Sequence, residues 1–505
     1  MKSKSWQKCV VLLPLLLAAS LGSLTTAQRG AAKSTSVDKQ QPQKSITLEQ
    51  RIERIENGLL PPVVLKGETP LRMKIDERMK FYRTPGVSVA VINEGKVEWA
   101  RGYGLLRVNG QERVTTSTMF QAASISKTLT ALAVLQLVEK HQLDLDEDVN
   151  VKLTGWKVPE NDLIKNERPT LRRVLSHTAG FNVSGLPGYS ADQPLPSLRQ
   201  ILNGEKPANT PPIRIDTIPG SRFTYSGGGY EVLQQLLTDV TKKSYVELME
   251  PILKKLGMTH STFKAPSLSD PDVAAGHLPN GVEIEGGWRL HSELAAAGLW
   301  STPTDLAQLV IEIQKSNEGK SNWILSKGMT KMMLSPQIEN VGLGVFVDGE
   351  GPSARFDFSG SNVGYKSYAV GYLQSGRGAV VMTNSENGAQ LALEILRSIS
   401  AEYGWPDYHP RERVVSKIDP AVYHDYVGEY ELGVSGPHVT ITTEGDKLFS
   451  QGPSQPKAEM LPESPTTFFL REVDASFTFI RDEKGQVSEV IIRRGGRDYK
   501  AKRIR

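Results

Sequence analysis

The chain has 505 residues, 39% hydrophobic and 23% charged, enough for two or three domains with a substantial core. Its 60 basic and 56 acidic residues give a formal charge of +4, which falls to +1 once Lys2, Lys4 and Lys8 of an N-terminal leader are set aside. That balance excludes an electrostatic case for a nucleic-acid or anionic-membrane partner.

The leader carries those three lysines, an apolar run over residues 10–21 broken by Pro14, and small residues Thr25 and Ala27 placed as at a cleavage site. It reads as a signal peptide over residues 1–27 and predicts a secreted or periplasmic protein. The run is short for a membrane span, so none is expected after cleavage; an uncleaved anchor is the alternative. Cys9 is the single cysteine. Its loss with the leader would leave no disulfide, thiol nucleophile or thiolate metal site.

Residues 28–45 are rich in Gln, Ser, Lys and Thr and read as a tether. The wider stretch 28–70 adds a short helix, with Thr47 and Gln50 at capping-box spacing before Ile52 and Ile55. The main domain is expected over 71–408. A β-rich run at 87–92, the turn Asn93-Glu94-Gly95 and a return strand at 97–100 form one hairpin. Runs at 365–373 and 379–383 form another, followed by a helix over 389–403. Helical patterns lie between them at 122–140, 230–241, 245–256 and 304–316. The pattern predicts an α/β domain whose sheet is closed by N- and C-terminal hairpins, with a helical insertion. After Pro410, short β-type runs at 427–432, 439–443, 447–451, 467–470, 477–481 and 487–493 predict a small all-β barrel or sandwich over 412–505.

Ser124-Ile125-Ser126-Lys127 opens the apolar stretch at 129–135. Positions i and i+3 share a helical face, so Ser124 Oγ and Lys127 Nζ can meet. A helix start offers unpaired N–H groups and a positive dipole end, and burial there disfavours a lysine charge. Such a lysine can act as a base toward the serine. Alone, the tetrapeptide is more often a capping serine and a snorkelling lysine. Two later segments add to it. Tyr225 stands at the glycine-rich turn Ser226-Gly227-Gly228-Gly229 before a helix, where a phenolate can shuttle a proton. Ser359-Gly360-Ser361 leads into the later hairpin, where small residues let a substrate reach the backbone and the N–H of Ser361 can join that of Ser124 as an oxyanion hole.

In this order these residues resemble the serine β-lactamase and penicillin-binding-protein superfamily, nearest its class C β-lactamase-like branch of esterases and D-amino-acid peptidases. That family carries S-x-x-K, then Y-x-N or Y-S-x, then K-T-G or H-x-G. Thr84-Pro85-Gly86-Val87, Leu175-Ser176-His177-Thr178-Ala179-Gly180 and the stretch from Ala297 to Leu306 look similar too. The resemblance spans about residues 71–405. It implies a β-lactamase/transpeptidase-like fold, Ser124 as acylated nucleophile, and Lys127 and Tyr225 as the proton-handling pair. Backbone oxyanion stabilisation falls to Ser124 and Ser361, with Ser359, Gly360 and Gly227 around the substrate. No cofactor is implied. The β-rich tail resembles lipocalin-like domains appended to some of these hydrolases, which shape the cleft or assemble subunits; nothing in residues 412–505 looks catalytic, and a passive stabilising module is the default reading, with a homo-oligomer as the alternative.

Two positions depart from the pattern. Gly227 replaces the asparagine of Y-x-N, removing a partner for a substrate amide. Phe358 replaces the basic residue of the third motif, which favours a neutral ester or amide over a β-lactam or carboxylate-ended peptide. The alternative reading is a catalytically silent relative that binds cell-wall peptide or another ligand. His177 is expected to be structural, since no G-x-S-x-G elbow accompanies it. The eight histidines show no metal-ligand spacing.

Overall fold

The computed structural model describes residues 46–505 apart from 268–269, 434–435, 453–456 and 495–496. The leader and the tether at 28–45 lie outside the described residues. Helix α1 (Leu48–Glu56) turns Ile52 and Ile55 inward, and β1 (Val63–Leu65) pairs in parallel with Arg411–Arg413. The short helix expected after the tether is thus present, docked from Leu48 onward. The helix is amphipathic, and burying that apolar face outweighs the freedom of a linker.

The central sheet uses β2 (Gly86–Asn93) and β3 (Lys96–Gly104) from the first hairpin. Next along the chain come β4 (Phe120–Ala123), α2 (Ser126–Glu139), α3 (Gly227–Thr241), α4 (Tyr245–Lys255), α5 (Leu294–Ala297), β5 (Leu299–Ser301) and α6 (Pro303–Glu318). Strands β6 (Phe346–Asp348), β7 (Arg355–Asn362), β8 (Tyr365–Tyr372) and β9 (Gly378–Thr383) complete the sheet before α7 (Gly388–Tyr403). The antiparallel order is β3-β2-β9-β8-β7-β6, so β2 from the first hairpin pairs with β9 from the last. Val87, Val89 and Val91 pack on the α1/α7 side, and Ala90 and Ile92 on the α2/α6 side. Burial on both faces explains the unbroken apolar run of β2.

The stretch read as one helix over 122–140 is two elements. Ala122 and Ala123 end β4, where Ala123 pairs with Leu299 of β5, and the helix begins at Ser126. Alanine favours helix intrinsically, but this strand pairing decides the local state. Ala123 takes φ +51°, an unusual value for a residue with a Cβ, immediately before Ser124. Helix α2 is buried nearly all round, the state expected of a helix without a polar face.

After β10 (Arg411–Arg413) the chain forms a closed eight-strand antiparallel barrel. Its strands are β11 (Gly428–Leu432), β12 (His438–Glu444), β13 (Lys447–Gln451), β14 (Ala458–Pro462), β15 (Thr467–Leu470), β16 (Ala475–Arg481), β17 (Val487–Arg494) and β18 (Arg497–Arg503). Strands β14 and β18 escape the sequence reading. β18 is almost entirely charged and sends Ala501 into the core, so it shows little apolar alternation. Tyr430, Ile441, Leu448, Phe468, Phe479 and Val490 are buried in this barrel's core. Arg413 of β10 bridges to Glu463 at 2.8 Å, and Arg471 of the barrel bridges to Glu68, just after β1, at 2.7 Å.

Candidate active site

Ser124 lies in the two-residue link between β4 and α2, half-buried, with its side chain at one end of a cleft. Its Oγ is 3.1 Å from Lys127 Nζ and 2.9 Å from the Tyr225 hydroxyl. Lys127 is 5% exposed, and its Nζ also donates to the Ala296 carbonyl of α5 at 2.8 Å. The ammonium sits 5.2 Å from the Tyr225 ring centre and 5.7 Å from that of Tyr230. The structure thus brings together Ser124 from the β4–α2 link, Lys127 from the first turn of α2 and Tyr225 from the turn before α3, 101 residues beyond Ser124.

Burial alone would raise the Tyr225 phenol. The Lys127 charge and hydrogen bonds to Ser124 and Lys127 outweigh it, holding the pKa below the ordinary tyrosine value. The arrangement can take a proton from Ser124 Oγ–H onto the phenolate oxygen in one short step. His177 packs beneath, its ring 4.4 Å from that of Tyr225, and its Nδ1 accepts the Ser226 N–H at 3.1 Å. Burial, then the charge of Lys127, push its pKa down to about 3. A triad base instead donates from Nδ1 to a carboxylate, so this geometry makes His177 a support for Tyr225.

Leu175, Val345, Phe346 and Phe358 form the apolar wall of the cleft, and Ser359 borders it. Phe358 stacks on Phe356 with its side chain buried. The β7–β8 ladder sets the direction of the backbone beside it. Leu373 N–H donates to Ala354 O, and the register pairs Ser359 with Tyr368 and Ser361 with Lys366. Alternation then places Ser359 and Ser361 at non-hydrogen-bonded positions, their N–H groups turned away from β8. β6 pairs only with Arg355 to Asp357. Past Asp357 that edge of β7 has no strand partner among the described residues and can receive an extended substrate or an oxyanion.

Gly360 is where β7 crosses β4. A Cβ there would lie 2.0 Å from Ala122 O, so only glycine permits the approach. Gly360→Ala is expected to displace β7 from Ser124 and to cost about 1–3 kcal/mol by overpacking. A lowered melting temperature together with slowed active-site labelling would register it; an unchanged protein would contradict the close crossing.

Gly227 is the candidate that the structure places differently. It begins α3, donates its N–H to Ser184 O at 3.0 Å, and would point a Cβ at that oxygen and at Leu186. It packs the helix start against the 184–186 loop instead of facing Ser124. Sequence reasoning missed Lys366 of β8, whose Nζ reaches Ser361 Oγ at 2.8 Å and Glu386 at 2.6 Å. The hairpin register held the signal, since a turn at Val363-Gly364 sets residues 361 and 366 opposite each other.

Residues 71–401 match the family described as Beta-lactamase, and residues 412–503 match a domain of unknown function, DUF3471. Protein flp of Staphylococcus aureus is 29% identical over 255 residues, 50% of this chain and 47% of that protein, so the chain spans about half the length of that curated relative. Penicillin-binding protein 4* of Bacillus subtilis is 23% identical over 450 residues, 81% of this chain and 93% of its own. Among solved structures, the octameric penicillin-binding protein homologue from Pyrococcus abyssi shares the fold with a TM-score of 0.56 at 23% identity, covering 85% of this chain and 98% of the other. With the matched family spanning most of the chain, this protein belongs to the Beta-lactamase family, within the serine β-lactamase and penicillin-binding-protein superfamily.

Proposed function

We propose that the chain is an exported serine hydrolase that forms an acyl-enzyme on Ser124 and cleaves an ester or amide. The observation that carries this is the position of Ser124 Oγ, within 3.1 Å of Lys127 Nζ and 2.9 Å of the Tyr225 hydroxyl, beside the edge of β7 past Asp357. Ser124 Oγ attacks the carbonyl carbon as its proton passes to the Tyr225 phenolate. The N–H groups of Ser124 and Ser361 hold the resulting oxyanion. Collapse expels the alcohol or amine, which takes the proton from Tyr225. Water then repeats the sequence on the acyl-enzyme and releases the acid.

The apolar wall at Phe346 and Phe358 supports an uncharged acyl or leaving group. Lys366 adds a second option at the Ser361 end, where its ammonium can meet a substrate carboxylate. Lys366→Met is expected to raise KM for carboxylate-ended esters or amides about tenfold and to leave neutral esters within about twofold. Equal losses on both classes would remove Lys366 from substrate recognition.

The leader sequence supports export to the periplasm or medium, and no helix among the described residues is long and apolar enough to cross a membrane. The octameric state of the Pyrococcus abyssi homologue supports a homo-oligomer here. The central test is intact-mass labelling with a fluorophosphonate and with a penicillin. One adduct per chain, mapped to the peptide holding Ser124, is the expected result. Folded protein that takes neither label would point to a silent ligand-binding relative.

A further inference from the structure

Behind Lys127 lies a buried polar cluster that the proposed chemistry does not use. Glu231 and Gln234 of α3 face the four-residue helix α5. Glu231 Oε1 accepts the Ala296 N–H at 3.2 Å, and Gln234 Oε1 accepts the Ala295 N–H at 2.8 Å. On its other side α5 presents carbonyls to α2. Ala296 O receives Lys127 Nζ, and Ala295 O receives the Thr130 hydroxyl at 2.8 Å. A helix this short cannot satisfy its own termini, so these side chains take the place of intrahelical partners.

Glu231 is fully buried, and its Oε2 has no hydrogen-bond partner among the described residues. Glu293, Lys127, Tyr189 and Tyr245 are the ionisable groups facing it. Burial first, then the nearby Glu293, raise its carboxyl well above the usual range, which favours the neutral form. What the geometry assigns to Glu231 here is an acceptor oxygen for the Ala296 N–H.

We infer that Glu231 is a positioning residue: by fixing α5 through the Ala296 N–H, it sets the carbonyl that aims Lys127 at Ser124. The inference rests on the hydrolase reading for its kinetic consequence but not for the contact itself. A catalytic group displaced by about 1 Å costs up to about 100-fold in rate. Glu231→Ala is therefore expected to slow acylation of Ser124 by roughly tenfold or more, with KM changed less than about twofold and the pH–rate profile displaced. Glu231→Gln keeps an oxygen for the Ala296 N–H and is expected to restore both rate and profile to within about threefold of wild type.

Hydrogen exchange of the 294–298 segment reads the clamp without turnover. Protection should fall in Glu231→Ala and persist in Glu231→Gln. If Glu231→Gln is as slow as Glu231→Ala, charge rather than position is at work and the inference is overturned. It is equally overturned if Glu231→Ala labels and exchanges like wild type. If wild-type protein takes no label, the hydrolase reading fails, and the exchange measurement alone decides the clamp.

Discussion

Ser124→Ala is expected to abolish covalent labelling and to lower kcat on any ester or amide substrate by on the order of 10⁴-fold or more. The chain should still fold. Ser124 lies in a short link, and the neighbouring Ser126 carries the local structure, its hydroxyl donating to Ala123 O at 2.6 Å and accepting Leu299 N–H at 3.0 Å. Losing Ser124 Oγ removes the nucleophile but leaves the cleft wall, Lys127 and Tyr225 in place. Substrate binding should therefore persist, visible as an unchanged dissociation constant for a non-reactive analogue. Intact-mass analysis with a fluorophosphonate separates the outcomes. A variant that still takes one adduct per chain would move the nucleophile elsewhere and end the proposed mechanism.

The second large effect is expected at Tyr225. Tyr225→Phe keeps the ring against His177 and removes only the hydroxyl beside Ser124. General-base assistance contributes about 10²–10⁴-fold, and a loss in that range is expected in kcat/KM. The pH dependence gives the sharper signature. With its pKa held below the ordinary value, the Tyr225 phenolate forms as pH rises and persists above that pKa. Wild-type kcat/KM should accordingly rise with pH and level off below pH 10 or so, the ordinary tyrosine value. Tyr225→Phe should lose that limb. A variant that keeps both the limb and the rate would assign the proton transfer to Lys127 alone.

Much of the fold was legible because its signals are local. The hairpin at Asn93-Glu94-Gly95, the run after it and the helix at Gly388–Tyr403 follow alternation and helical periodicity that a few neighbouring residues express. Strand β4 was not legible. Ala122 and Ala123 prefer helix by themselves, and only pairing with β5, well over a hundred residues away, makes them strand. Ala123, paired with Leu299, takes positive φ immediately before Ser124, which lines the cleft. The last barrel strand was hidden for a related reason: its charged residues gain a place in the sheet from hydrogen bonds to β17 and β11, which no apolar pattern advertises.

At the site, the sequence by itself determined which groups are present: a serine and lysine three apart before an apolar helix, a tyrosine at a glycine-rich turn, and small residues on a strand with a glycine at its centre. Tertiary structure alone decided how they meet. It set the Ala296 carbonyl on Lys127 from 169 positions away, brought Lys366 to Ser361 across a hairpin, and placed Gly227 against Ser184 instead of the cleft. Hydrogen bonds of about 3 Å are won or lost by shifts of less than one residue's length. Residue order fixes which partners exist. Their distances follow only from the packing of helices and strands that lie far apart along the chain.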